Sequence, residues 1–152
     1  SQHGIDVEKE DIVFNTGVVY GFYTLIEMLV KLDEKVIVQP PVYPPFFNIP
    51  KSLSREVVYN PLKHTNNGWK MDLEHFENCL KNDPKIKMFI LCNPHNPTGQ
   101  CYTLEEINNV IEICWRYNVW VISDEIHADI VMPNQKHVSV FKCKKEYQDK
   151  NI

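Results

Sequence analysis

Apolar and polar positions change period several times along the chain, and each change predicts an element. Residues 17–31, GVVYGFYTLIEMLVK, place Val18, Phe22, Leu25, Ile26 and Leu29 at helical spacing. They predict a helix capped by Thr16-Gly17, with these side chains and the Met and aromatic positions of 20–29 in the core. A strand KVIVQP follows at 35–40. The stretch PPVYPPFFNIPKSL is too proline-rich to form a regular helix throughout, and REVVYNPL at 55–62 is strand-like. After a turn at Asn66-Asn67-Gly68, Asp72 heads the helix DLEHFENCLK. The run IKMFILCN at 86–93 has the continuous apolar character of a strand buried on both faces. Thr103 opens T-L-E-E, a capping box whose helix leads into VWVISDE, predicted as a second buried strand.

Strands alternating with helices of ten to fifteen residues predict right-handed crossovers on a mostly parallel sheet. The fold class is therefore α/β, three layers α/β/α, in a single domain over residues 1–152. Composition agrees: 43% hydrophobic and 24% charged residues exclude disorder and collagen. With 20 acidic against 16 basic residues, and one short basic run at Lys142, Lys144 and Lys145, there is no footprint for nucleic acid. The five cysteines, with no C-x-x-C pair, suit a reducing compartment. Without an apolar run of membrane-spanning length or a signal-like start, the expectation is a cytoplasmic protein with no membrane partner. The chain opens without Met and ends at Asn151-Ile152 without a closing signal, as a fragment would.

Open parallel sheets bind ligands beyond the carboxyl ends of their strands. Three such positions stand out: Tyr43 after KVIVQP, Asn93-Pro94-His95-Asn96-Pro97-Thr98-Gly99 after IKMFILC, and Asp124-Glu125-Ile126-His127 at the end of VWVIS. NPHNPTG followed by SDEIHADI resembles the class I/II aminotransferase superfamily, and PPVYPPFF with TGVVYG is similar to its cystathionine β-lyase (C–S lyase) branch.

The resemblance covers nearly the whole chain and implies the cofactor pyridoxal 5'-phosphate (PLP). It gives Asp124 the pairing with the pyridine nitrogen, which favours the protonated ring that accepts electrons, and Asn96 a hydrogen bond to the ring 3-hydroxyl. Pro97 would fix the Asn96 side chain through a rigid or cis peptide bond. Tyr43 matches the residue that stacks on the ring; loop packing is its other reading. Gly17, Val18 and Val19 match the phosphate turn at a helix start. His127 falls where many relatives carry a tyrosine, and packing is an equal alternative. His64, His75, His95 and His137 lack partners at metal-ligand spacing and are read as surface or turn residues.

By the same resemblance, residues 1–152 are part of the large PLP-binding domain. The Schiff-base lysine and the small domain lie outside the chain, and the fragment by itself is inactive. Ser139-Val140-Phe141-Lys142 follows Asp124 too closely and runs into KCKKEYQDK, so Lys142 is read as a solvated lysine; neither Arg55 nor Arg116 lies in a carboxylate-clamping motif. The parent is expected to be a homodimer acting on a small amino-acid substrate, as a lyase releasing pyruvate, ammonia and a thiol. An aminotransferase and a non-catalytic PLP-binding regulatory domain are the alternatives. A nucleotide-binding domain is disfavoured by the absence of G-x-G-x-x-G and of the Walker pattern.

Overall fold

A computed structural model describes residues 4–5, 7–66 and 68–152, leaving aside the side chains of residues 149 and 151. The element order is α1 (Val18–Leu29), β1 (Lys35–Val38), α2 (Pro45–Ser52), β2 (Glu56–Tyr59), β3 (Lys63–Thr65), β4 (Gly68–Lys70), α3 (Leu73–Asn82), β5 (Ile86–Cys92), α4 (Leu104–Tyr117), β6 (Trp120–Asp124) and α5 (Lys145–Asn151). Strands β2-β1-β5-β6, in that order, form one all-parallel sheet. Strands β3 and β4 pair antiparallel as a separate hairpin on either side of the predicted turn, whose Asn67 lies outside the described residues.

Strand order explains why the helices divide between two faces. From β1 the chain moves outward to β2, then crosses back over β1 to β5 and continues to β6. Crossovers of one hand that reverse direction must change face. Accordingly α1 and α2 pack on one side, with Phe22, Ile26, Phe46 and Ile49 against Val36, Val38, Met88, Ile90 and Cys92. On the other side, α3 and α4 bury Phe76, Leu80, Ile107 and Ile111 against Ile37, Phe89 and Leu91. The side chains of β5 alternate between these two cores after a bulge at its start, where Lys35 pairs with Ile86 but Val36 with Met88.

Local signals place two helix starts. The Asp72 side chain accepts the His75 N–H at 3.2 Å, and Thr103 closes a full capping box with Glu106. Asn118, in the left-handed region at φ 55°, ends α4.

Two expectations are corrected by packing, while the proline-rich stretch is helical only in part, as expected: α2 covers eight of its residues, with Pro45 in its first turn and Pro50 inside it. Burial of Phe46, Ile49 and Pro50 offsets the hydrogen bond that Pro50 cannot donate. In α1 only Phe22 and Ile26 are buried, because the helix meets the sheet along one narrow stripe; Val18, Leu25, Tyr20 and Met28 are exposed. Strand β6 is not buried on both faces: among the described residues its one ladder partner is β5, and Trp120 is exposed while Ile122 to Asp124 are half-buried. No helix among the described residues is long and apolar enough to cross a membrane.

Candidate functional site

The reversal of winding direction falls between β1 and β5, and in open α/β sheets that switch point opens a crevice at the carboxyl edge. A cleft of about 280 Å³ lies at this edge, lined by Val18, Val19, Phe22, Tyr43, Cys92, Asn96, Asp124, Ile126 and His127. The structure therefore brings together Val18, Tyr43, Asn96, Asp124 and His127. Gly17 stands beside the cleft as the N-cap of α1 and does not line it.

Each wall has a local cause. Tyr43 follows β1, and its backbone N–H donates to the Asn96 carbonyl at 3.1 Å, joining the loops after β1 and β5. Its ring is exposed and edge-on to Phe46, with centroids 6.1 Å apart. Asn96 precedes a cis peptide bond to Pro97, and its N–H donates to Cys92 Sγ at 3.3 Å. Helix α1 begins at Val18 without any side-chain cap on its first N–H groups.

Asp124 closes β6, opposite Cys92 in the ladder. Its Oδ1 accepts the Ile126 N–H at 3.1 Å, and no Lys or Arg pairs with the carboxylate among the described residues. Burial pushes this carboxyl above its ordinary range; the neighbouring Glu125 charge adds to the shift, while the Ile126 N–H and His127 oppose it. The chemistry of this set is specific: a half-buried carboxylate lacking a cation, an amide, an aromatic face and a helix start open to an anion. An aromatic ring bearing a protonated nitrogen, a hydroxyl and a phosphate fits every one of these groups.

Sequence reasoning missed Cys92, Phe22 and Ile126 as cleft walls. The signals were available in the Met88, Ile90, Cys92 alternation, in the Val18 to Phe22 helical spacing, and in the position of Ile126 between Glu125 and His127. Burial pushes the Cys92 thiol up to about 12, so it acts as a neutral hydrogen-bonding wall.

Two of the four histidines read as surface or turn residues are instead buried. His95 is 3% exposed, held by Thr98 Oγ1 at 3.0 Å from Nδ1, and packs edge-on to Tyr102. His95 Nε2 makes no well-formed hydrogen bond among the described residues, and burial pulls the imidazole down to about 4, opposed by the Gln39 backbone. His137 is 8% exposed and pairs with Glu125. His64 and His75 are exposed, as expected. Among the described residues no group of three or more His, Cys, Asp or Glu side chains could hold a metal ion.

Arg55 spends its guanidinium on the Val30 and Leu53 carbonyls, and Arg116 pairs with Glu77 at 2.6 Å. Lys142 is exposed, and no lysine lines the cleft.

Comparison with known proteins shows the family of the chain. The profile of the family "Aminotransferase class I and II" matches residues 1–149. Cystathionine beta-lyase PatB of Bacillus subtilis is 34% identical over 152 residues, all of this chain and 39% of that protein. Cystalysin of Treponema denticola, whose crystal structure contains a pyridoxal 5'-phosphate cofactor, superposes with a TM-score of 0.93 at 28% identity, over 98% of this chain and 38% of that one. A PLP-bound C–S lyase of Staphylococcus hominis superposes with a TM-score of 0.88 at 32% identity, over 92% of this chain and 36% of that one. The chain thus spans about two fifths of the length of the relatives it matches.

Proposed function

We propose that this chain, which belongs to the class I and II aminotransferase family, is the cofactor-cradling part of a longer PLP-dependent C–S lyase. The observation that carries the reading is the convergence of Tyr43, Asn96 and the unpaired Asp124 carboxylate on one cleft beside an uncapped helix start.

In this reading the first N–H groups of α1, at Val18 and Val19, hold the phosphate, as helix starts hold anions. Tyr43 covers one face of the ring. The Asn96 amide binds the ring hydroxyl, with His127 beside it. Asp124 keeps a proton on the ring nitrogen, and that cation in turn returns the buried carboxylate to its charged form. When bound, PLP supplies an electron sink for the pair released as a bond to the substrate α-carbon breaks. Buried Phe22 gives the cleft an apolar wall, and a less polar surrounding strengthens the hold of Asp124 on the proton. The reaction is α,β-elimination from a cysteine conjugate, giving pyruvate, ammonia and a thiol.

The lysine that bonds the cofactor belongs to the remainder of the protein, since the cleft walls contain none. Borohydride reduction of this chain with PLP should leave no stoichiometric pyridoxyl-lysine within residues 1–152, whereas the longer protein should carry one outside them. With cystathionine as substrate, Asp124→Ala in the longer protein should lower pyruvate release by about 100- to 1,000-fold, the loss typical of a removed charge-stabilising group. Near-normal turnover in that variant would contradict the assigned role. Turnover that requires a keto-acid acceptor would select an aminotransferase instead.

A further inference from the structure

Glu125 follows Asp124, but strand alternation turns the two side chains to opposite sides. Asp124 faces the cleft, and Glu125 faces the segment that returns to the sheet before α5. There its carboxylate meets three donors: Ser123 Oγ at 2.9 Å and the Val140 N–H at 2.8 Å on Oε1, and His137 Nε2 at 3.1 Å on Oε2. The His137 side chain is 3% exposed and that of Glu125 18%, so solvent competes little for these bonds.

A second set of bonds ties the same segment to the other cleft loop. Asn93, fully buried, donates from Nδ2 to the Val138 carbonyl at 2.8 Å and accepts the Tyr102 N–H at 3.1 Å. Its own N–H donates to the Asp124 carbonyl at 3.0 Å. Residues 126–136 are therefore a loop fastened at both ends beside Glu125. The near end carries Ile126 and His127 into the cleft, while Ile130 and Met132 are exposed. Within the loop there are short turns, Ala128 N–H to the Glu125 carbonyl, Ile130 N–H to the His127 carbonyl and Gln135 N–H to the Met132 carbonyl, and near its far end the Gln135 side chain accepts the Cys101 N–H at 3.0 Å.

We propose that Glu125 is a positioning residue for the cofactor site, its buried clasp on His137 and Val140 fixing loop 126–136 and so aiming Asp124, Ile126 and His127 at the cleft. The proposal rests on the PLP reading of that cleft. It assigns Glu125 no contact with cofactor or substrate. Glu125→Ala leaves the Val140 N–H and His137 without their acceptor, whereas Glu125→Gln keeps Oε1 as acceptor and can hydrogen-bond a neutral His137.

The test is a PLP titration of the apo form of the longer protein, with hydrogen exchange of residues 126–136 measured alongside. Phe76→Leu, in the core on the far side of the sheet, is the control for general loss of stability. At a temperature where circular dichroism shows all variants folded, Glu125→Ala should weaken PLP binding by about tenfold and speed exchange in the loop. Glu125→Gln should stay within about threefold of wild type, and Phe76→Leu should not change PLP affinity. If Glu125→Ala does not fold, His137→Ala carries the test with the same direction of change. Equal PLP affinity in the clasp variant and wild type, or an equal loss in Phe76→Leu, overturns the proposal alone. A wild-type protein that takes up no PLP overturns the cofactor reading and this proposal with it.

Discussion

The two faces of the sheet are built to different ends. On the α3/α4 face, α4 has a capping box at one end and a left-handed cap at the other, and Ile107, Val110, Ile111 and Cys114 close over Phe89 and Leu91. On the α1/α2 face, α1 starts without a side-chain cap and buries Phe22 and Ile26, while Tyr20 and Met28 remain exposed. The cleft opens on this second face. A helix start whose N–H groups were satisfied by a side chain could not offer them to an anion, so in the proposed reading the missing cap and the phosphate site are one feature.

The largest expected effect tests that division directly. Phe89→Ala removes a fully buried ring from the α3/α4 core and should destabilise the protein by about 3–5 kcal/mol in urea unfolding. PLP affinity of the molecules that remain folded should not change. Phe22→Ala, at the cleft wall, should weaken PLP binding measurably. Comparable affinity losses in both variants would break the distinction between the faces.

The pH dependence of folding should also come from the closed side, where His95 packs on Tyr102. Its imidazole is pulled down to about 4 by burial, below the ordinary 6.5 that applies in the unfolded chain. The unfolded state therefore takes up a proton that the folded state refuses. Stability is fully present above pH 6.5 and is lost as pH falls toward 4, by roughly 3 kcal/mol if the whole difference is realised. Unfolding free energies measured across this range should flatten in His95→Asn; an unchanged slope in that variant would assign the acid sensitivity elsewhere.

The smallest effect concerns the caps. Thr103→Ala removes the side chain that accepts the Glu106 N–H at 3.2 Å and should destabilise by about 1 kcal/mol. Thermal melts can resolve this, and PLP affinity should again be untouched.

Much of the fold was legible in the sequence because it is encoded locally. Asp72 and Thr103 cap their helices through bonds to residues three positions on, and the apolar run of 86–92 is a buried strand in any parallel sheet. The candidate site was legible for a related reason. Tyr43 and Asn96 follow strands and Asp124 ends one, and parallel strands deliver their carboxyl ends to one edge.

What only the tertiary structure decided is which surfaces meet. Strand β6 reads like β5, yet among the described residues it has a single strand neighbour and is half-buried, a matter of strand order that no local period records. The exposure of Tyr20 and Met28, the burial of His95 and His137 and the helix formed through Pro50 all depend on what packs opposite them. The Glu125 clasp joins residues 12 and 15 positions apart across a loop with no periodic pattern. Period and capping act within a few residues, so they determine elements; contacts across loops and between faces arise only when the assembled sheet brings them together.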